Sequence, residues 1–150
     1  MRYPVRSADL TSEVVLVEPL VVLLPSSHPL AKLERIPPEK LDGEPFISTH
    51  PHFSGQVYSV VEAYFDAHKL HRNVAQVATN ILLNLNLVGM GLGYALLPAY
   101  AASLTSSAIC ARPLEGEPPR VALLMVSRAP PHPAELAGLF ELVREHVAPE

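Results

Sequence analysis

The sequence predicts an α/β fold, a three-layer lobe around a largely parallel sheet. Two observations lead to this prediction: segments typical of strands alternate with segments typical of helices, and short connections marked by Gly or Pro separate them. A chain of 150 residues, 49% of them hydrophobic, is long enough to bury a core of its own. Charged residues make up only 17%, which argues against intrinsic disorder.

The first predicted elements are two short strands, at about 13–17 and 20–24. Residues 14–24 read VVLVEPLVVLL, with almost no polar alternation, as is typical of strands buried on both faces. Pro19 lacks the N–H that a central ladder needs, so we expect it to break or kink the run and to send two short strands into different sheets. Glu18 and Pro19 are therefore hinge candidates.

A turn-rich segment leads to a short strand and then to the first long helix. Residues 25–45 predict a loop with one short helical turn, and a strand begins at Phe46. From Ser54, a plausible N-cap, apolar residues recur at i, i+3, i+4, i+7 and i+8, which predicts an amphipathic helix. These apolar residues are Val57, Val60, Val61, Tyr64 and Phe65.

Two further pairs of strand and helix follow. Residues 73–78 are compatible with a strand, and Thr79 or Asn80 can cap the next helix. That helix, ILLNLNLVGMG, is apolar on nearly every side, so we expect it to be buried. Residues 94–97 resemble another strand, and Pro98 opens a short helix.

The last part of the chain predicts two strands, at 109–114 and 121–126, and a final helix from Pro133. Arg112 and Pro113, in the first of these strands, are the second pair of hinge candidates. The final helix carries an apolar stripe that needs a partner surface. The stripe consists of Leu136, Leu139, Phe140, Val143 and Val147.

Composition argues against several classes of protein. The formal charge is -4, from 11 Lys+Arg and 15 Asp+Glu, so the chain lacks the basic surface of a nucleic-acid-binding protein. A single cysteine, Cys110, cannot form an internal disulfide. The longest apolar run is too short to cross a bilayer, and the first residues do not read as a secretory signal. We therefore expect a cytoplasmic protein without a membrane segment.

No combination of residues predicts metal binding or catalysis. The pairs His50/His52 and His68/His71 do not have the spacing of a helical zinc site, so we predict no metal and no cofactor. No serine lies in a G-x-S-x-G elbow, and Cys110 has no histidine nearby in sequence. A hydrolase or isomerase using His52 with Ser54 is disfavoured because no base with an orienting group can be located. We predict that the protein is not an enzyme and has no catalytic residue.

A loop between the short strand and the first helix is the most informative polar segment. It runs from Thr49 to Gly55 and reads THPHFSG. In an α/β lobe, ligands collect at the carboxyl ends of strands, where backbone N–H groups of helix N-termini attract anions. Thr79 and Asn80 stand at the second helix start, which suits a small carboxylate. The alternative is that these residues only cap helices, which every helix requires.

Five segments together closely resemble the effector-binding domain of LysR-type transcriptional regulators. They are EPLVVLLPSSHPLA, GEPFI, LVGMGLGYALLP, ARPLEGEPPRVALLMVSR and LAGLFELVREH, and the resemblance covers about residues 3–147. It implies two Rossmann-like lobes similar to those of periplasmic binding proteins, joined by crossover strands, with a small effector between them. Residues 20–112 then form the second lobe, while 1–19 and 113–150 supply strands and the last helix of the first lobe.

The resemblance also implies which residues face the effector, a small organic acid. On the second lobe these are Thr49, His50, Pro51, His52, Phe53, Ser54, Gly55, Thr79 and Asn80. Crossover strands place the hinge at Glu18, Pro19, Arg112 and Pro113.

The 150 residues depart from the family pattern, because they include no winged helix-turn-helix and no beginning of the first lobe. We therefore expect a truncated sensor that does not bind DNA directly and binds its effector weakly. The strands at both ends and the last helical stripe would stand exposed, so we expect self-association into a dimer. The alternative function is a stand-alone dimeric interaction protein that modulates a full-length regulator.

Overall fold

The computed structural model describes residues 9–147. Six strands and three α-helices occur among these residues, together with three short 3-10 helices. The strands are β1 (Leu10–Pro25), β2 (Pro45–Thr49), β3 (Asn73–Ala78), β4 (Ala95–Pro98), β5 (Ile109–Pro113) and β6 (Arg120–Arg128). The α-helices are α1 (Gly55–Ala67), α2 (Ile81–Gly89) and α3 (Ala134–Val147). The 3-10 helices are Pro29–Lys32, Pro38–Leu41 and Ala99–Leu104.

The chain divides into two compact units. One is Pro19–Val121, and the other comprises the described residues 9–18 and 122–147. The first change of unit lies between the hinge candidates Glu18 and Pro19. The second lies after Val121, so the other two hinge candidates fall inside the Pro19–Val121 unit, where β5 is paired with β1.

The prediction that Pro19 breaks the first strand is wrong. β1 runs without interruption for 16 residues. Proline fixes φ at a value that extended backbone tolerates, and its missing N–H does little harm where the ladder changes partner. Before Pro19, β1 pairs with β6, and Ala129 N–H donates to Asp9 O at 3.1 Å. From Leu20 onward, β1 pairs with β4 and β5.

Parallel pairing holds the middle of the Pro19–Val121 unit together. β2 and β3 are parallel, and Phe46 of β2 also forms an isolated parallel bridge with Tyr94, the residue before β4. β1 runs antiparallel to both β4 and β5. The largely parallel arrangement expected from the sequence is thus found around β2, and the long crossover strand adds antiparallel pairs.

The core of the Pro19–Val121 unit consists of two apolar clusters, which β1 joins. Leu20, Val22 and Leu24 lie in one cluster and Leu23 lies in the other. Since successive side chains of a strand point to opposite faces, both faces of this part of β1 are covered. This explains why its sequence is continuously apolar.

The first helix agrees with its predicted stripe, whereas the second is less buried than expected. In α1, Val57, Val61, Tyr64 and Phe65 are all buried. In α2, buried residues are confined to Asn84, Leu85 and Val88, and Leu82 is 63% exposed. The expectation of a buried α2 is wrong for its outer face, because no described residue covers that face. Apolar composition alone does not show whether another element packs against a helix.

The second unit leaves much apolar surface uncovered. No residue of α3 is buried, and Leu139 of the predicted stripe is 52% exposed. On β1, Val14 and Val17 are 55% and 50% exposed. Arg144 of α3 makes a bidentate ion pair with Glu13 of β1, with N–O distances of 2.9 and 2.7 Å.

Among residues 9–147, no helix combines the length and apolar character that a bilayer crossing requires.

Candidate functional site

The carboxyl ends of β2 and β3 lie side by side. Thr49 is in register with Ala78, and His50 N–H donates to Ala78 O at 2.9 Å. The loop after β2 and the turn before α2 therefore start at the same sheet edge. The structure brings together the two segments, 49–55 and 79–80, that the sequence singles out.

The loop after β2 is folded around His50. The carbonyl of His50 accepts hydrogen bonds from the N–H groups of Phe53 (3.2 Å) and Ser54 (2.9 Å). The ring Nδ1 of His50 accepts a hydrogen bond from His52 N–H at 3.1 Å. Pro51, whose φ is fixed, suits the turn that follows His50. The loop is thus held by its own backbone, and Thr49 before it is buried.

Three rings form the outer surface of this loop. The Phe53 ring lies 5.2 Å from the His50 ring and 5.3 Å from the His52 ring, the latter edge to face. The Phe53 side chain is 64% exposed, and Pro51 and His52 are also exposed. The site therefore offers an apolar, aromatic surface beside a helix N-terminus.

The two helix N-termini at this edge differ in how they are capped. Asn80 is the cap of α2, and its side-chain oxygen accepts from Leu83 N–H at 2.9 Å. Ser54 occupies the cap position of α1, but its side chain makes no capping hydrogen bond. Helix N-termini attract anions through the N–H groups of the first turn. Of the two predicted anion sites, the α1 terminus is the one whose cap residue makes no side-chain capping bond.

Asn84 is a residue at this edge that sequence reasoning missed. It lies one turn after Asn80 and is fully buried, and neither side-chain amide atom has a hydrogen-bond partner among the described residues. Leaving such an amide unpaired costs about 1–3 kcal/mol. The sequence gives no signal that singles out Asn84, because the same helix also carries Asn86, which is exposed.

The hinge candidates have different surroundings. Glu18 is buried at the change of unit. Arg112 donates Nε–H to Ala31 O at 3.1 Å and Nη1–H to Ala111 O at 2.9 Å. Pro113 O accepts from Ile36 N–H at 2.9 Å. These bonds hold Arg112 and Pro113 within one unit, and the hinge roles of all four residues stay predictions.

Within residues 9–147, His, Cys, Asp and Glu side chains form no group of three that could hold a metal ion. His50 and His52 instead pack with Phe53.

Comparison with known proteins identifies related sequences and folds. The family model described as "LysR substrate binding domain" matches residues 1–148. The Hca operon transcriptional activator HcaR of Escherichia coli (strain K12) is 40% identical over 148 residues, which are 99% of this chain and 50% of that protein. This chain thus spans half the length of that relative.

Two solved structures share the fold. The regulatory domain of Synechocystis PCC6803 CcmR in complex with 2-PG has a TM-score of 0.83 at 20% identity, covering 99% of this chain and 72% of that one. The BenM effector-binding domain with its effector benzoate has a TM-score of 0.82 at 22% identity, covering 98% of this chain and 67% of that one. The predicted α/β fold, similar to that of periplasmic binding proteins, is confirmed.

Proposed function

This chain belongs to the LysR substrate-binding domain family and is an effector-binding domain of the LysR type, and on that premise we propose that it senses a small organic anion without catalysing a reaction. Transcriptional regulators act where DNA is, so we place this sensing in the cytoplasm. Control of transcription by the whole protein is part of the proposal.

The observation that carries the proposal is the register of β2 and β3. It places the Thr49–Gly55 loop next to Thr79 and Asn80. Polar and aromatic groups from two segments therefore converge at the strand ends, where ligands of α/β proteins bind. We propose Thr49, His50, Pro51, His52, Phe53, Ser54, Gly55, Thr79 and Asn80 as the effector-facing residues.

The chemistry of this edge suits an acid with an apolar body. The N-terminus of α1, where Ser54 provides no side-chain cap, attracts a carboxylate. The exposed Phe53 ring offers an apolar face beside it. Benzoate, the effector named for the BenM domain, combines these two features. We propose an aromatic or aliphatic carboxylate as the effector class and weak, millimolar affinity for this chain, as in fragment-sized ligands.

A titration with sodium benzoate, followed by backbone NMR, tests the proposal. We expect amide shifts concentrated at residues 49–57 and 79–83. The variant Phe53→Ala removes the exposed ring and should weaken binding about three- to tenfold, because it removes apolar contact area. Since the ring is mostly in solvent, the fold should be unaffected.

The matched control is Leu104→Ala, which truncates an exposed apolar side chain on the 3-10 helix Ala99–Leu104. It should leave benzoate affinity unchanged. Shifts confined to other parts of the chain, or equal losses in both variants, would refute the proposed site.

A further inference from the structure

A cavity outside the proposed effector site lies where the 3-10 helix Pro29–Lys32 meets β5. Its volume is about 300 Å³. The lining residues are Lys32, Leu33, Glu34, Ala111, Arg112 and Pro113. All belong to the Pro19–Val121 unit, and none lies in 49–55 or 79–80. We propose that this cavity binds a small oxyanion, a phosphate or a carboxylate, through Arg112 and Lys32.

The guanidinium of Arg112 is held in one orientation. Its Nε–H and Nη1–H groups donate to the carbonyl oxygens of Ala31 and Ala111, at 3.1 and 2.9 Å. The 3-10 helix supplies one acceptor and β5 supplies the other. A guanidinium has five N–H donors, so three remain. Among the described residues none of these three finds an acceptor.

The positive charge of Arg112 is not balanced by a carboxylate. Arg112 is only partly exposed, and within residues 9–147 it forms no ion pair. Neutral carbonyl oxygens orient a guanidinium but do not neutralise it. A partly buried charge without a counter-charge is costly, and binding an anion would lower that cost.

The rest of the lining gives the cavity a net positive charge. Lys32 stands in the last turn of its 3-10 helix, and Glu34 is the single acidic residue of the lining. Neither is ion-paired within the described part of the chain. Two cationic side chains against one carboxylate leave a formal charge of about +1. The planar guanidinium of Arg112 beside the ammonium of Lys32 suits an oxyanion, which can accept hydrogen bonds from both groups.

Titration with sodium phosphate at constant ionic strength, followed by backbone NMR of the intact chain, tests this site. We expect saturable shifts at residues 31–34 and 111–113. The variant Lys32→Gln should weaken phosphate binding about three- to tenfold, because it removes one of two cationic partners. Arg112→Lys keeps the charge but loses the planar fork, and should also weaken binding.

The matched control is Lys40→Gln. Lys40 is also in the last turn of a 3-10 helix, Pro38–Leu41, but it does not line the cavity. It should leave phosphate affinity unchanged. Arg112 supports the local backbone, so Arg112→Lys could unfold the chain. In that case the phosphate affinity of Lys32→Gln, compared with that of Lys40→Gln, tests the site.

Parallel titrations distinguish the possible anions. Saturable shifts at the same residues with phosphate or acetate support the oxyanion site and identify the preferred class. The oxyanion site would be overturned by equal shifts with chloride or by shifts that do not saturate with either oxyanion. It would also be overturned if Lys40→Gln lost as much phosphate affinity as Lys32→Gln. Benzoate shifts at residues 49–57 report the effector site independently in the same spectra, so either proposal can fail while the other holds.

Discussion

At the scale of single residues, two positions in the Pro19–Val121 unit impose unusual demands on the side chain they carry. Gly93 precedes β4, and a Cβ placed there would overlap the carbonyl group of Pro45, with 2.8 Å to its carbon. Asn84 places a polar amide in a fully buried position without a partner among the described residues. One position therefore excludes a side chain, and the other holds a side chain that its surroundings do not satisfy.

Replacing Gly93 by Ala should lower the free energy of unfolding by about 1–3 kcal/mol, because backbone atoms cannot move aside as a flexible side chain can. Urea denaturation measures this change. Gly138→Ala is the control, since nothing lies within 4 Å of its Cβ position in α3. That variant should be neutral or more stable by about 0.5–1 kcal/mol, as expected for Gly to Ala in a helix. Equal stability of Gly93→Ala and the parent chain would contradict the assigned clash.

Replacing Asn84 by Ala should raise the free energy of unfolding by about 1 kcal/mol, because it removes a buried unpaired amide and improves helix propensity. Asn86→Ala, on the exposed face of the same helix, separates the propensity contribution from the burial contribution. A loss of stability in Asn84→Ala that is absent in Asn86→Ala would show that the amide has a stabilising partner.

At the scale of elements, α3 is tied to β1 by the ion pair between Arg144 and Glu13. The hydrogen bond from Arg144 is the main cause that lowers the pKa of Glu13 below its ordinary value. A carboxyl group with a lowered pKa contributes stability above its unfolded-state pKa, and the contribution is lost as pH falls through the folded-state pKa. The contact between these two elements is therefore weakest in acid.

Arg144→Gln should raise the pKa of Glu13 toward that of an unpaired glutamate, as measured by NMR titration of its side-chain carboxyl. Arg120→Gln is the control, because Arg120 pairs with Glu117 and not with Glu13. If Glu13 titrates identically in the parent chain and in Arg144→Gln, the ion pair does not persist in solution.

Most elements were predictable because the spacing of their apolar residues reflects which side chains are buried. The spacing of Val57, Val61 and Phe65 predicted α1, and the alternation of strand and helix predicted the α/β class. β1 was not predictable in full, because the effect of Pro19 depends on which strands lie beside it. The exposure of α2 depends likewise on whether another element covers it.

The candidate site was partly predictable for a similar reason. Thr49–Gly55 and Thr79–Asn80 each follow a strand and precede a helix, and parallel pairing then brings them together. The sequence could not show that Asn80 caps its helix while Ser54 does not, because both residues are good caps. Asn84 is a matter of packing, which no local pattern reports.

At the scale of the whole molecule, the unit formed by residues 9–18 and 122–147 leaves apolar side chains in solvent. Val14, Val17, Leu139 and Leu142 are each about half exposed. Burying such surface gains about 25 cal/mol per Å². We propose that a second copy of the chain covers it and that the protein is a dimer.

Leu139→Glu should shift the molecule from dimer toward monomer, raising the dissociation constant about tenfold or more, because a carboxylate would be buried without a partner. Sedimentation velocity over a concentration series measures the shift. Leu82→Glu, which changes an exposed leucine on α2 in the other unit, should leave association unchanged. A parent chain that sediments as a monomer at tens of micromolar, about the range of weak dimers, would refute the proposed dimer.

The uninterrupted course of β1 has a consequence for local motion. Val21, Val22 and Leu23 have paired strands on both sides, whereas among the described residues 10–18 have β6 alone. Amide protons of one strand should therefore exchange with deuterium at two very different rates, slowly near Val22 and quickly near Val15. Such a difference would mean that residues 10–18 separate from β6 and pair with it again repeatedly, while the part of β1 around Val22 stays paired.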